Sequence, residues 1–201
     1  MKGINELRNK INEFLNSYEM HNFEVSPDVK ELIKLVSSNN NPEETIDDYL
    51  IIGSAYKKMG RFSLAAVYHE KALDNMIAIK AIDGLKQLFN DILKERNYYV
   101  NDDAKDILNK VKNSGLLDEK VVKGTYKNAL AVRRSLKHDP IEMSEEYLAV
   151  IDEVEEKVVK NKKYFGMGSC HESWDLKHRF LLEKGINWKS PSILNPRVIF
   201  D

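Results

Sequence analysis

The sequence predicts an all-α protein of stacked antiparallel helical hairpins, ending in an irregular segment that docks back onto them. Three observations predict it. Apolar residues recur at helical spacing almost throughout, and no run of period-two alternation marks a strand. The helical stretches are joined by short breaks rich in Gly, Pro, Asn and Asp, which set consecutive helices side by side as antiparallel pairs.

In chain order, the first helix is expected from about Asn5 to Tyr18, with Leu7, Ile11, Phe14, Leu15 and Tyr18 on one face. Ser26-Pro27-Asp28 reads as an N-cap with Pro in the first turn, opening a short helix that buries Val29, Leu32, Ile33 and Val36. Asn41-Pro42-Glu43-Glu44 opens the next, because Asn caps, Pro suits the first helical position and Glu suits the third. That helix runs to about Met59, Gly60 turns the chain, and a partner follows from Phe62 to about Asn75. Ile79, Ile82, Leu85, Phe89, Ile92 and Leu93 then form a stripe, and Asn101-Asp102-Asp103 caps a shorter helix carrying Ile107, Leu108 and Val111. Asp118 opens a helix with Val121, Val122, Tyr126, Ala129, Leu130 and Val132 inward. His138-Asp139-Pro140 breaks it, and Ser144 caps a charged helix burying Tyr147, Leu148, Ile151, Val154 and Val158. After Gly166 and Gly168 a last long helix runs from Cys170 to Lys184. Gly185 followed by Ile186 is the pattern of a left-handed C-cap with its apolar clasp.

The stretch from Thr45 to Lys80 resembles the tetratricopeptide repeat through Tyr49, Gly53, Tyr56, Gly60, Phe62, Ala65 and Ala72. Each position has a mechanical reason. Gly53 and Ala65 are small where two helices touch, Tyr56 and Phe62 fill the volume beside that contact, and Gly60 permits the turn. Ala72 lets the second helix approach the next unit. The sequence departs from the repeat at His69, where an aromatic is usual, and at Ile77, where Pro is usual. Neighbouring copies at the period of about 34 residues are degenerate. The resemblance implies a scaffold holding a protein or peptide partner. Expected organisation is a helical array over residues 1–165, with a terminal helix and tail over 166–201 belonging to the same domain.

Composition narrows the function classes. Lys and Arg total 31 against 32 Asp and Glu, for a formal net charge of -1, so a dedicated nucleic-acid binder is not expected. No apolar run reaches the roughly 18 residues of a membrane span, and residues 1–6 show no signal-peptide core. The lone Cys170 fits a reducing compartment, so the expected location is cytoplasmic, with no cofactor and no membrane partner. A homo-oligomer stays open.

The richest chemistry lies in Ser169-Cys170-His171-Glu172-Ser173-Trp174-Asp175-Leu176-Lys177-His178. On a helix His171, Asp175 and His178 share one face, where two imidazoles and a carboxylate can take a divalent metal. The plainer reading is a polar surface face. Ser169 and Glu172 have the form of a capping box. Cys170 and His171 are adjacent and point about 100° apart, a poor nucleophile–base geometry. The alternative function is therefore a small enzyme or metal-dependent protein with a site around Cys170, His171, Asp175 and His178. The tail beyond Gly185 carries Trp188, Leu194, Val198, Ile199 and Phe200 among its prolines. That is too apolar for a disordered end, so it is expected to dock, with Trp188, Leu194 and Phe200 as anchors.

Overall fold

The computed structural model describes residues 3–98, 104–131 and 136–200, and every regular element among them is helical. No helix among the described residues is long and apolar enough to cross a membrane. The chain divides into two compact units, Met1–Met20 with Val25–Arg133, and His21–Glu24 with Arg134–Asp201. The division falls at 133/134, so that the charged helix after Ser144 groups with the segment 166–201. The reason is that the charged helix after Ser144 packs against the last long helix and the tail.

The larger unit contains α1 (Ile4–Asn16), most of α2 (Asn22–Val36), α3 (Pro42–Lys58), α4 (Phe62–Ala78), α5 (Leu85–Arg96), α6 (Lys105–Ser114) and α7 (Glu119–Ala131). Local chemistry starts and stops these helices much as their residues dictate. The Asn41 side chain accepts from the Glu43 amide and donates to Glu44 at the head of α3. At its foot Gly60 is left-handed (φ +75°), and the Arg61 amide reaches back to the Tyr56 carbonyl, closing the wider loop of a Schellman turn. Two starts differ from expectation. Helix α2 begins at Asn22, five residues before Pro27, because the Glu24 carboxylate accepts from the His21 amide and nucleates an earlier turn. Helix α5 begins only at Leu85. Lys80 (φ +58°) and Gly84 (φ +77°) turn the chain left-handed first, which leaves Ile79 and Ile82 exposed instead of on the buried stripe. Val121 is likewise exposed, whereas Val122 is buried. The expected cap at Asn101–Asp103 and the inward position of Val132 lie outside the described residues.

Helices α3 and α4 form an antiparallel hairpin. Asn75, near the end of α4, donates to Thr45 Oγ1 near the start of α3 at 2.8 Å, while His69 meets Gly53 at mid-length. Phe62 stacks on Tyr98 and His69 bonds to Glu95, so α5 returns antiparallel to α4 and parallel to α3. Bonds between a helix and the next-but-one fall near 35 residues for three pairs, while those between α1 and α3 span 40 to 44. Arg61 bonds Ser26 at 35 residues, Lys57 bonds Asp91 at 34, and Lys110 bonds Asp74 at 36. Each helix therefore faces the next-but-one along the chain. A continuous core runs through the stack, from Leu7, Ile11 and Phe14 by way of Ile52, Leu73 and Phe89 to Ile107 and Val122.

The smaller unit has a 3₁₀ turn (Pro140–Met143), α8 (Glu145–Asn161), α9 (Ser169–Leu182) and a four-residue α10 (Pro191–Leu194). Ser144 caps α8 by accepting from the Tyr147 amide. Gly185 is left-handed and the Ile186 amide bonds the Leu181 carbonyl, the C-cap that the Gly-Ile pair implies. Its core consists of Tyr147, Ile151 and Val154 from α8, Phe180 and Leu181 from α9, and Ile186 and Trp188 from the tail.

Candidate functional site

Two clusters of polar and aromatic groups stand out, one in each unit. In the larger unit the close contact of α3 and α4 is filled by an imidazole. A Cβ at Gly53 would lie 2.2 Å from His69 Cδ2 and 2.5 Å from Nε2, so only glycine admits that ring. His69 and Glu95 are both buried, with His69 Nδ1 2.8 Å from Glu95 Oε2. With Glu95 ionised, Nδ1 carries the proton that this bond requires. Lys57 Nζ lies 2.9 Å from Asp91 Oδ1 and 3.4 Å from Glu95 Oε1. Glu95 Oε1 accepts no direct hydrogen bond among the described residues, so that ammonium is its charge compensation.

The electrostatics follow the geometry. Burial works against the charge on Lys57, but the bond to Asp91 and the nearby Glu95 outweigh it and raise its pKa above the ordinary 10.5. Burial likewise opposes ionisation of Asp91, and hydrogen bonds from Gln87 and Lys57 reverse the balance, leaving its pKa below the ordinary 3.8. Chemically the cluster is a closed charge network. The imidazole is tethered on one nitrogen and wedged against backbone on the other side, which is the geometry of a structural pin. The sequence carried a signal for this network, since Lys57 and Asp91 are 34 residues apart and His69 stands where the resemblance to the tetratricopeptide repeat calls for an aromatic. Reading each residue within its own helix hides the pairing.

The other positions on which the resemblance rests sit as their sizes demand. Tyr49, Tyr56, Ala65 and Ala72 are buried, and Phe62 is half-buried against Tyr98, their ring centroids 3.6 Å apart. Tyr68 stacks on both Tyr49 and Tyr56, with Lys71 Nζ 5.5 Å and 5.1 Å from the centres of Tyr49 and Tyr68.

In the smaller unit α9 carries the residues that the sequence singles out, and the structure does not bring them together. His171 is exposed and lies edge-on to Trp174, and Asp175 is exposed. His178 Nδ1 donates to the Trp188 carbonyl at 2.6 Å. Among the described residues no group of three or more His, Cys, Asp or Glu is placed to hold a metal ion, so His171, Asp175 and His178 do not converge as one. Cys170 is a half-buried free thiol. The expected capping box is also absent. Gly168 (φ +79°) occupies the N-cap, and Glu172 turns away to accept from the backbone amides of Lys163 at 3.1 Å and Tyr164 at 2.8 Å. Those two amides hold the Glu172 carboxyl below its ordinary range.

The tail docks on its own unit. Trp188 is 1% exposed, its indole N–H donating to Glu142 Oε1 at 2.7 Å and Lys177 Nζ lying 4.8 Å from the ring centre. Asn195 bonds the Lys137 backbone with both ends of its amide, and the Lys189 amide donates to Asp139. Phe200 meets Trp174 edge-on, with centroids 5.0 Å apart, and Leu194 is half-buried. Val198 and Ile199 are exposed. No family model matches the chain, and no curated protein and no solved structure matches it.

Proposed function

We propose that this chain is a protein-interaction scaffold whose larger unit is a degenerate tetratricopeptide-like array. The observation that carries the reading is the recurrence of cross-layer bonds at 34, 35 and 36 residues. That offset matches the length of the tetratricopeptide helix pair, and it extends beyond the Thr45–Lys80 stretch that carries the sequence resemblance. The network of Lys57, Asp91, Glu95 and His69 supports the same reading, because its groups pair with one another across α3, α4 and α5. Arrays of this kind hold an extended peptide or a partner helix.

The test is affinity capture of the full chain at native expression, followed by crosslinking to locate each recovered partner. The expected result is a stoichiometric protein partner crosslinked to exposed positions on α3, α5 or α7. Recovery of no partner at native expression overturns the reading, as do crosslinks confined to the smaller unit.

A further inference from the structure

The connection between α8 and α9 is a built loop, yet it presents large apolar side chains to solvent. Glu172 fixes the Lys163 and Tyr164 amides, and the Tyr164 ring folds over Gly166 so closely that a Cβ there would meet the hydroxyl at 2.4 Å. Held this way, the loop leaves Tyr164 53%, Phe165 76% and Met167 81% exposed. The run Lys157 to Met167 contains four lysines and no carboxylate. Lys157 and Lys160 pair with Glu153 and Glu156, whereas Lys162 lies 5.4 Å from the Phe165 ring centre and Lys163 is exposed beside it. The acid facing the loop from α9, Glu172, accepts from the Lys163 and Tyr164 amides and also attracts Lys162 and Lys163, and Lys162 Nζ donates to Ser169 Oγ at 3.3 Å.

We propose that this loop is a membrane-contact tip, seating Phe165 and Met167 in the interface of an anionic lipid bilayer while Lys162 and Lys163 meet its headgroups. Charge and size select that occupant. A stable protein interface covers about 800 Å² per partner, far more than two or three side chains on one loop supply. A bilayer interface accepts an isolated apolar tip flanked by lysines, and the resulting binding is weak, reversible and sensitive to salt.

The test is co-sedimentation of the full chain with vesicles of phosphatidylcholine alone, and with vesicles of equal parts phosphatidylcholine and phosphatidylserine. At low salt the chain should sediment with the anionic vesicles only. Partitioning should fall about tenfold or more in Phe165→Glu/Met167→Glu and in Lys162→Glu/Lys163→Glu. It should persist in Ile193→Glu, which removes an exposed apolar side chain elsewhere in the same unit. Absence of sedimentation with anionic vesicles, or sedimentation unchanged by both loop variants, overturns the proposal. So does retention on an immobilised polyanion without vesicle binding.

Discussion

The two units solve the same problem with different materials. The larger one builds its core mainly from helix faces, with helices packing on their neighbours and bonding the next-but-one. Among its described residues the smaller one has two long helices, α8 and α9, and an irregular segment completes its core by contributing Ile186 and Trp188. A helix satisfies its own backbone, so adding another extends a core at little polar cost. An irregular segment must find partners for its amides and carbonyls one at a time. Here His178, Asp139 and Asn195 serve the backbone at Trp188, Lys189 and Lys137. Side-chain bonds thus do in the second unit what helical repetition does in the first.

The largest expected effect tests the role of the tail. Trp188→Ala removes the biggest fully buried side chain among the described residues and its indole bond to Glu142, so it should destabilise the smaller unit by about 3–5 kcal/mol. Denaturant unfolding of the variant should show an early transition for this unit, followed by Trp174 fluorescence, with the helical signal of the larger unit lost later. Coincident, unshifted transitions would erase the distinction between the units.

A second experiment sharpens the account of the larger unit. Gly53→Ala drives a methyl into the His69 ring, and overpacking of this kind costs about 1–3 kcal/mol. In a His69→Ala background the space is free, and Gly53→Ala should become stabilising by up to about 1 kcal/mol because alanine is the better helix former. A double-mutant cycle by urea denaturation reads the sign change directly. Additive effects would mean that the ring is no obstacle.

The smallest effect concerns Asp91. Its pKa is depressed on folding, so its contribution is fully present above its ordinary value of 3.8 and is lost as pH falls through the lower folded value. Because Lys57 and Asp91 are partly exposed, Asp91→Asn should cost only about 0.5–1 kcal/mol at neutral pH. The cost should vanish once the pH has fallen below that lower folded value, as measured by the urea midpoint of each protein.

What was legible in the chain follows the range of the interaction involved. The Asn41 and Ser144 caps, the turns at Gly60 and Gly185, and the buried faces of α3 and α4 are set within a few residues, so local pattern reveals them. Ile79 and Ile82 continue the apolar periodicity of α5, and nothing in that pattern discloses that Lys80 and Gly84 turn left-handed beneath them. Glu172 was misleading for a related reason. Three residues after Ser169 it has the spacing of a cap, but the amides it binds lie eight and nine residues earlier in a loop. The helical register of His171, Asp175 and His178 is real, yet a shared face does not create convergence once His178 is bound to the tail carbonyl. The docking of Trp188 was foreshadowed by composition alone, its partners Glu142 and Lys177 being unrelated to it in spacing.

The offset of about 35 residues between bonded layers also governs the order in which the protein can be assembled. Contacts that close over one helix pair need little loop entropy, so structure in such an array can nucleate at any hairpin and spread along it. During synthesis the first unit can consolidate pair by pair as the polypeptide emerges. The second must keep the apolar faces of α8 and α9 unsatisfied until Trp188 has been made, which leaves the interval between those two events as its period of greatest exposure to misassociation.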